Sequence, residues 1–402
     1  MIEVLEQHYG VSGGRPLSML RTGRPDLEVC ALMNLLRLHP RRTTKGYTVA
    51  QARQDLRTAI WALGTREPVN EVTDRAIPGP NGRIPIRIYR PTPSKAGPLP
   101  ALVWVYGGGF VTGDLFTGDG TCRALANRTG AIVIAVDYRK APEHDLDAGR
   151  VDCLAALKWV AANGPDIGVD VSRLAVGGDS AGGNISAFMA QECARRGGPE
   201  LCLQALVYPA TDLANLHADT QDSHEGYFLT QEVIDWFKSH FTQLVDLDDP
   251  RFSPLHAPDL TDVAPAVVIT AGFDPLRDEG LAYAERLRAA GIEVDCFHYP
   301  GQTHGFVSFD RVLRGARDAL SRVGEALAKA FATPDRSELI DRPLPLSGSL
   351  AASDALLRGT AMQFVVDTMF AQLMVSEGVL NGWRWLLPGA QPEAARNRLA
   401  PR

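Results

Sequence analysis

Ser180 stands in the stretch AVGGDSAGGN, inside Gly178-Asp179-Ser180-Ala181-Gly182, a G-x-S-x-G pattern. A serine hydroxyl is a weak nucleophile until a base takes its proton and a third group orients that base. The setting favours this use over a flexible turn. An apolar, strand-like run, RLAVGG, precedes the serine, and a helical pattern, GGNISAFMAQECARRG, follows it. A strand–turn–helix bend lifts the side chain above a sheet edge, and flanking glycines keep Cβ atoms from pressing on it. The bend also leaves the N–H of Ala181 at a helix N-terminus, where a negative oxygen is favoured. A phosphate-cradling loop is the rival reading, but the P-loop lysine and the G-x-G-x-x-G order are both missing.

Serines on such bends are followed along the chain by an Asp or Glu and then a His. Asp274 lies just beyond the apolar run AVVITA, and His304 lies in a glycine-flanked loop beyond EVDCFHY. If both runs are parallel strands, their C-terminal ends share the edge at which Ser180 emerges. Asp278 falls about one helical turn further on and suits a helix start. His298 falls inside a strand pattern, where a satisfied structural histidine is the simpler reading. Asp274 and His304 are therefore the expected partners of Ser180. A second glycine run, Gly107-Gly108-Gly109, ends the apolar stretch ALVWVY and can bring backbone amides close to a substrate.

Three zones must position these groups. Residues 1 to about 75 read as helical, with no strand signal. PDLEVCALMNLLRLHP carries leucines near helical spacing, and YTVAQARQDLRTAIWALG opens on a Thr48–Gln51 capping box and closes at Gly64. Residues 76–331 alternate short apolar runs with helical patterns, which argues for an α/β fold, a mostly parallel sheet flanked by helices. The runs span 84–89, 101–106, 131–136, 173–178, 203–208, 266–271 and 293–299. The first alternates polar and apolar residues and reads as an outer antiparallel strand. Residues 332–402 begin with a Pro-rich linker and continue as amphipathic helices, an extension suited to covering core or a second copy of the chain, with binding at a membrane interface as the alternative. A homodimer is left open by that face.

The 402 residues carry a net charge of −6 with no basic stripe, so nothing favours a nucleic-acid partner. No apolar stretch reaches about 18 residues, and no secretory leader is read at the N-terminus. The six cysteines are scattered, without metal-ligand spacing. They read as reduced, mostly buried thiols of a cytoplasmic protein, and not as metal ligands.

Taken together, YGGGF, DYRKAPEH, GGDSAGGN, YPATDL, GYFLT, DPRFSPL, TAGFDPLRDEG and HYPGQTHGF resemble the hormone-sensitive-lipase-type esterases, the bacterial group IV set of the α/β-hydrolase fold. The likeness covers roughly residues 70–330. It implies Ser180 as nucleophile, Asp274 as orienter, His304 as base, and Gly107, Gly108 and Ala181 as oxyanion donors. It further implies a helical N-terminal cap and hydrolysis of short- to medium-chain acyl esters, small molecules, without a cofactor. Amide or carbamate cleavage, acyl transfer, and a receptor on the same scaffold are the alternatives. Three places depart from the pattern: Tyr106 replaces the histidine that usually opens the glycine loop, the final seventy or so residues have no counterpart in it, and EHDLDAGR replaces a proline-rich turn.

Overall fold

The computed structural model describes residues 24–36, 44–94, 96–215, 228–241 and 245–332. The linker and helices expected over the C-terminal extension lie outside this range, as do residues 1–23 of the first zone. Helix α1 (Leu27–Leu36) runs from one compact unit into a second, of which only residues 30–36 are described. All the other described residues belong to the first unit. Helix α2 (Val49–Leu63) starts where the sequence places it. The Thr48 side chain accepts from the Gln51 amide, the Gln51 side chain accepts from the Thr48 amide, and Gly64 caps the other end.

Eight strands form one sheet. They are β1 (Glu71–Gly79), β2 (Gly82–Arg90), β3 (Leu99–Val105), β4 (Ile132–Val136), β5 (Val169–Asp179), β6 (Leu203–Val207), β7 (Ala266–Phe273) and β8 (Val294–Thr303). Their spatial order is β1-β2-β4-β3-β5-β6-β7-β8. β2 is antiparallel to both β1 and β4, and every other pairing is parallel. β3, β4, β6 and β7 are buried along their whole length, which is why they read as unbroken apolar runs.

The N-terminal edge corrects the sequence reading. The strand over 84–89 is antiparallel as expected but not outermost, and residues 71–75, read as part of a helical zone, open the true edge strand β1. β1 is mostly solvent-facing, with only Ile77 fully buried, so it carries no apolar alternation to read. It is held by a hairpin turning at Pro80-Asn81 and by a cross-strand Asp74–Arg87 ion pair at directly opposed positions.

The helices that follow are α3 (Asp119–Thr129), α4 (Leu146–Asn163), α5 (Ala181–Arg196), α6 (Gln231–Lys238), α7 (Arg277–Ala289) and α8 (Arg314–Ala332). The unusual EHDLDAGR segment is the start of α4, whose N-cap Asp145 accepts from the Ala148 amide at 2.7 Å. It also supplies Arg150, a fully buried cation whose donors reach the carbonyls of Leu146 and Arg251 and the side chain of Asn184. Burial pushes this guanidinium down to about 9. Asn184 in turn donates to the carbonyls of Ala210 and Phe252, so the first turn of α5 is fixed from three directions. No helix among the described residues is long and apolar enough to cross a membrane.

Candidate active site

Four parallel strands deliver the chemistry to one edge. β3 ends at the glycine loop, β5 at Ser180, β7 at Asp274 and β8 at His304. Ser180 is the single residue between β5 and α5, with φ 56° and ψ −119°, a region that side chains avoid. Such a conformation costs about 1–3 kcal/mol and persists only where its surroundings over-determine it. Here its N–H donates to the Val207 carbonyl at 2.9 Å, and its carbonyl accepts from the amides of Asn184 and Ala210. The flanking glycines are needed because α5 packs on the end of β3. A Cβ on Gly182 would stand 1.9 Å from the Val105 carbonyl oxygen, and one on Gly178 2.4 Å from the same atom.

The three residues expected to act together are brought together. His304 Nε2 lies 2.9 Å from Ser180 Oγ, and His304 Nδ1 lies 2.8 Å from Asp274 Oδ2. Asp274 is buried, and its other oxygen accepts from the Leu276 amide at 2.8 Å. A carboxylate only accepts, so Nδ1 carries the proton, and Nε2 is left to accept from the serine hydroxyl. The ring of Tyr208 packs 4.8 Å from the His304 ring. The rejected alternatives lie elsewhere. Asp278 sits in the first turn of α7, paired with Arg277 at 2.7 Å, and His298 sits within β8, its Nδ1 2.8 Å from Thr270 Oγ1.

The expected oxyanion donors need one correction. The Gly107 N–H donates to Asp179 Oδ1 at 3.1 Å, so it is already engaged beneath the loop. Among the described residues nothing takes the amides of Gly108 and Gly109, and the Ala181 amide sits in the first turn of α5, where backbone donors lack helical partners. The available set is therefore Gly108, Gly109 and Ala181. Three equivalent glycines in the sequence hide this difference.

Asp179 was not singled out from the sequence, although it stands next to the serine in the motif. Burial pushes its carboxyl up to about 6, against the opposing pull of the Gly107 amide and of His304. The raised value means that the folded chain holds this proton more tightly than the unfolded chain. The contribution to stability is fully present below about pH 4 and lost as pH rises through about 6, a loss of about 3 kcal/mol. Asp179→Asn keeps an acceptor for Gly107 but never ionises. Its Tm should match wild type at pH 4 and exceed it by several degrees at pH 8, as read by thermal unfolding across that range.

The loop is also held from outside. Arg53 on α2 donates to the Val111 carbonyl at 2.9 Å and to the Ala141 carbonyl at 3.2 Å, and it grips both oxygens of Glu143. Arg57 pairs with Asp114 one turn along. Facing the loop is α6. A Cβ on Gly109 would stand 2.5 Å from the Phe237 ring, and one on Gly305, beside His304, 3.2 Å from Phe228. α6 is tied to the start of α2 by Trp236 Nε1, which donates to the Tyr47 carbonyl at 3.1 Å, and by Glu232, which accepts from the amide and hydroxyl of Thr44.

Comparison with known proteins agrees with this architecture. Residues 102–308 match a family described by its alpha/beta hydrolase fold. The chain is 41% identical to the carboxylesterase NlhH of Mycobacterium tuberculosis, over 77% of this chain and 97% of that protein. It is 42% identical to the carboxylic ester hydrolase LipN of the same organism, over 69% of this chain and 76% of that one. Among solved structures, a serine-to-alanine variant of LAE6, an alpha/beta hydrolase from the metagenome of Lake Arreo, superposes with a TM-score of 0.72 at 39% identity, covering 76% of this chain and 98% of that one. With the strand order, the serine bend and these matches in hand, the chain belongs to the hormone-sensitive-lipase-type esterases of the α/β-hydrolase fold.

Proposed function

We propose that Ser180 is the nucleophile, His304 the general base and Asp274 its orienter in the hydrolysis of carboxylic esters through an acyl-serine. The continuous line from Ser180 Oγ through the imidazole to Asp274, with links of 2.9 and 2.8 Å, carries this reading. His304 takes the hydroxyl proton as Oγ attacks the ester carbonyl, and Asp274 stabilises the imidazolium that forms. The amides of Gly108, Gly109 and Ala181 receive the oxyanion, each such donor contributing about 10²- to 10³-fold in rate. The proton passes from His304 to the departing alcohol, and water repeats the attack on the acyl-serine. A receptor on this scaffold would lack a triad member, and none is lacking. Turnover of p-nitrophenyl butyrate by the purified chain, and its loss in Ser180→Ala, tests the reading.

The first zone acts in this reading as a cap over the site, supported by the bonds of Arg53 on α2 to the glycine loop and of Thr44 and Tyr47 to α6. The acyl chain then meets Phe237, whose ring lies over Gly109. That wall suits acyl groups of short to medium length. Phe237→Ala should raise the ratio of kcat/KM for octanoate over butyrate p-nitrophenyl esters about 10-fold or more, since accommodating even one further methylene contributes about 1–3 kcal/mol. An unchanged ratio would place the acyl chain elsewhere. The six free cysteines support a reducing compartment, the cytoplasm, as the site of action.

A further inference from the structure

The glycine loop contains residues with little conformational preference, Gly108 at φ 131° and Gly109 at φ 58°, so the direction of their amides depends on what holds the loop's two ends. Both ends are held by one short segment, Asp137–Ala141, which leaves the end of β4. At the entrance stands Tyr106, almost wholly buried. Its phenol donates to Asp137 Oδ1 at 2.5 Å and accepts from Lys140 Nζ at 2.9 Å. Lys140 also donates to Asp137 Oδ1 and to the Tyr138 carbonyl, each at 2.9 Å, which closes the network. The Tyr106 ring stacks on Tyr138 with centroids 5.0 Å apart, and the Tyr138 hydroxyl donates to the Tyr106 carbonyl. On the ring's Cδ2 edge there is no room, since a Cβ on Gly113 would stand 2.9 Å from Tyr106 Cδ2, and Gly118 packs beside the Tyr106 Cβ. At the exit of the loop, the Ala141 amide donates to the Phe110 carbonyl at 2.9 Å.

We propose that Tyr106, acting through Asp137 and Lys140, is the positioning residue of the oxyanion loop, and that its hydroxyl sets the aim of the Gly108 and Gly109 amides. The proposal rests on the reading of those amides as oxyanion donors. Tyr106 touches no reacting atom in this account. Its effect falls on the transition state, where the oxyanion exists, and not on the ground-state ester, whose carbonyl needs these amides far less. The partners of the phenol are a matched acid and base, Asp137 and Lys140, just beyond the end of the neighbouring strand β4.

The test separates the two levels. Tyr106→Phe removes only the hydroxyl and keeps the stacked ring. Its kcat for p-nitrophenyl butyrate should fall about 10- to 100-fold with KM within about twofold, the scale of a misplaced catalytic group. The inhibition constant of an alkyl trifluoromethyl ketone, which forms a hemiketal on Ser180, should rise by the factor lost in kcat/KM. Lys140→Met should act in the same direction, and the double variant should lose no more than the worse single one. Lys140→Met also carries the test should Tyr106→Phe fail to fold. A change in Tm alone, or in KM alone, overturns the proposal. So does a Tyr106→Phe enzyme whose kcat and inhibition constant stay within twofold of wild type. A crystal structure of the wild-type hemiketal identifies which level has failed. If its oxygen lies on the Gly108 and Gly109 amides while Tyr106→Phe is silent, only the role of Tyr106 falls. If its oxygen lies elsewhere, the oxyanion assignment falls with it.

Discussion

Ser180→Ala should lower kcat for p-nitrophenyl butyrate about 10⁶-fold, to the residual rate that binding and oxyanion donors sustain alone. The structure argues that this loss is chemical and not structural. The side chain's hydrogen bond is to His304 Nε2, while the strained backbone is fixed by main-chain bonds to Val207, Asn184 and Ala210 that alanine keeps. Tm should therefore hold. A fluorophosphonate should mark wild type at Ser180, seen as a mass increase on one peptide, and leave the variant unmarked. Because the serine and the base act as a unit, Ser180→Ala/His304→Ala should be no slower than either single variant. Turnover that survives Ser180→Ala within tenfold would end the acyl-serine mechanism.

Asp274→Asn should lower kcat about 10⁴-fold with little change in fold. The reason lies in how the carboxylate is held. One oxygen accepts from the Leu276 amide, and an asparagine oxygen takes over that bond. The new NH₂ group is then the atom that faces His304 Nδ1. It can only donate, so Nδ1 must accept and Nε2 must carry the proton, which leaves no base toward Ser180. Asp278→Asn is the matched contrast. It loosens a buried pair with Arg277, so its expected effect is on Tm, with kcat near wild type. The reverse result, a large rate loss in Asp278→Asn and little in Asp274→Asn, would transfer the orienting role along α7.

Much of this arrangement is legible in the sequence. β3, β4, β6, β7 and the second half of β5 announce themselves because strands covered on both faces must be apolar, and the bend at Ser180 announces itself because β3 and α5 press together there and leave space only for glycine. Asp274 and His304 follow from the rule that parallel strands end on one side. What the sequence hid has physical causes. β1 faces water and needs no apolar stripe, so only its GPNG turn marks it. Gly107 and Gly109 look alike until Asp179, a residue 72 positions along the chain, takes one amide and not the other. The Tyr106 network and the grip of Arg53 on Val111 join segments far apart in sequence, and no local pattern signals such contacts. Phe237 lies in a helix of 8 residues whose partners are supplied by tertiary structure.

The clamp from α2 has a consequence for how this enzyme can change. Arg53 grips the glycine loop, and six to nine residues earlier along the same stretch of chain Tyr47 and Thr44 grip α6, which carries the wall residue Phe237. Selectivity and speed therefore share a frame. A substitution that lets α6 swing outward to admit bulkier esters also pulls on the stretch that steadies the amides. Variants selected in the laboratory for larger substrates should tend to lose turnover on small ones, and those that escape the trade-off should carry compensating changes in α2 and not around the serine.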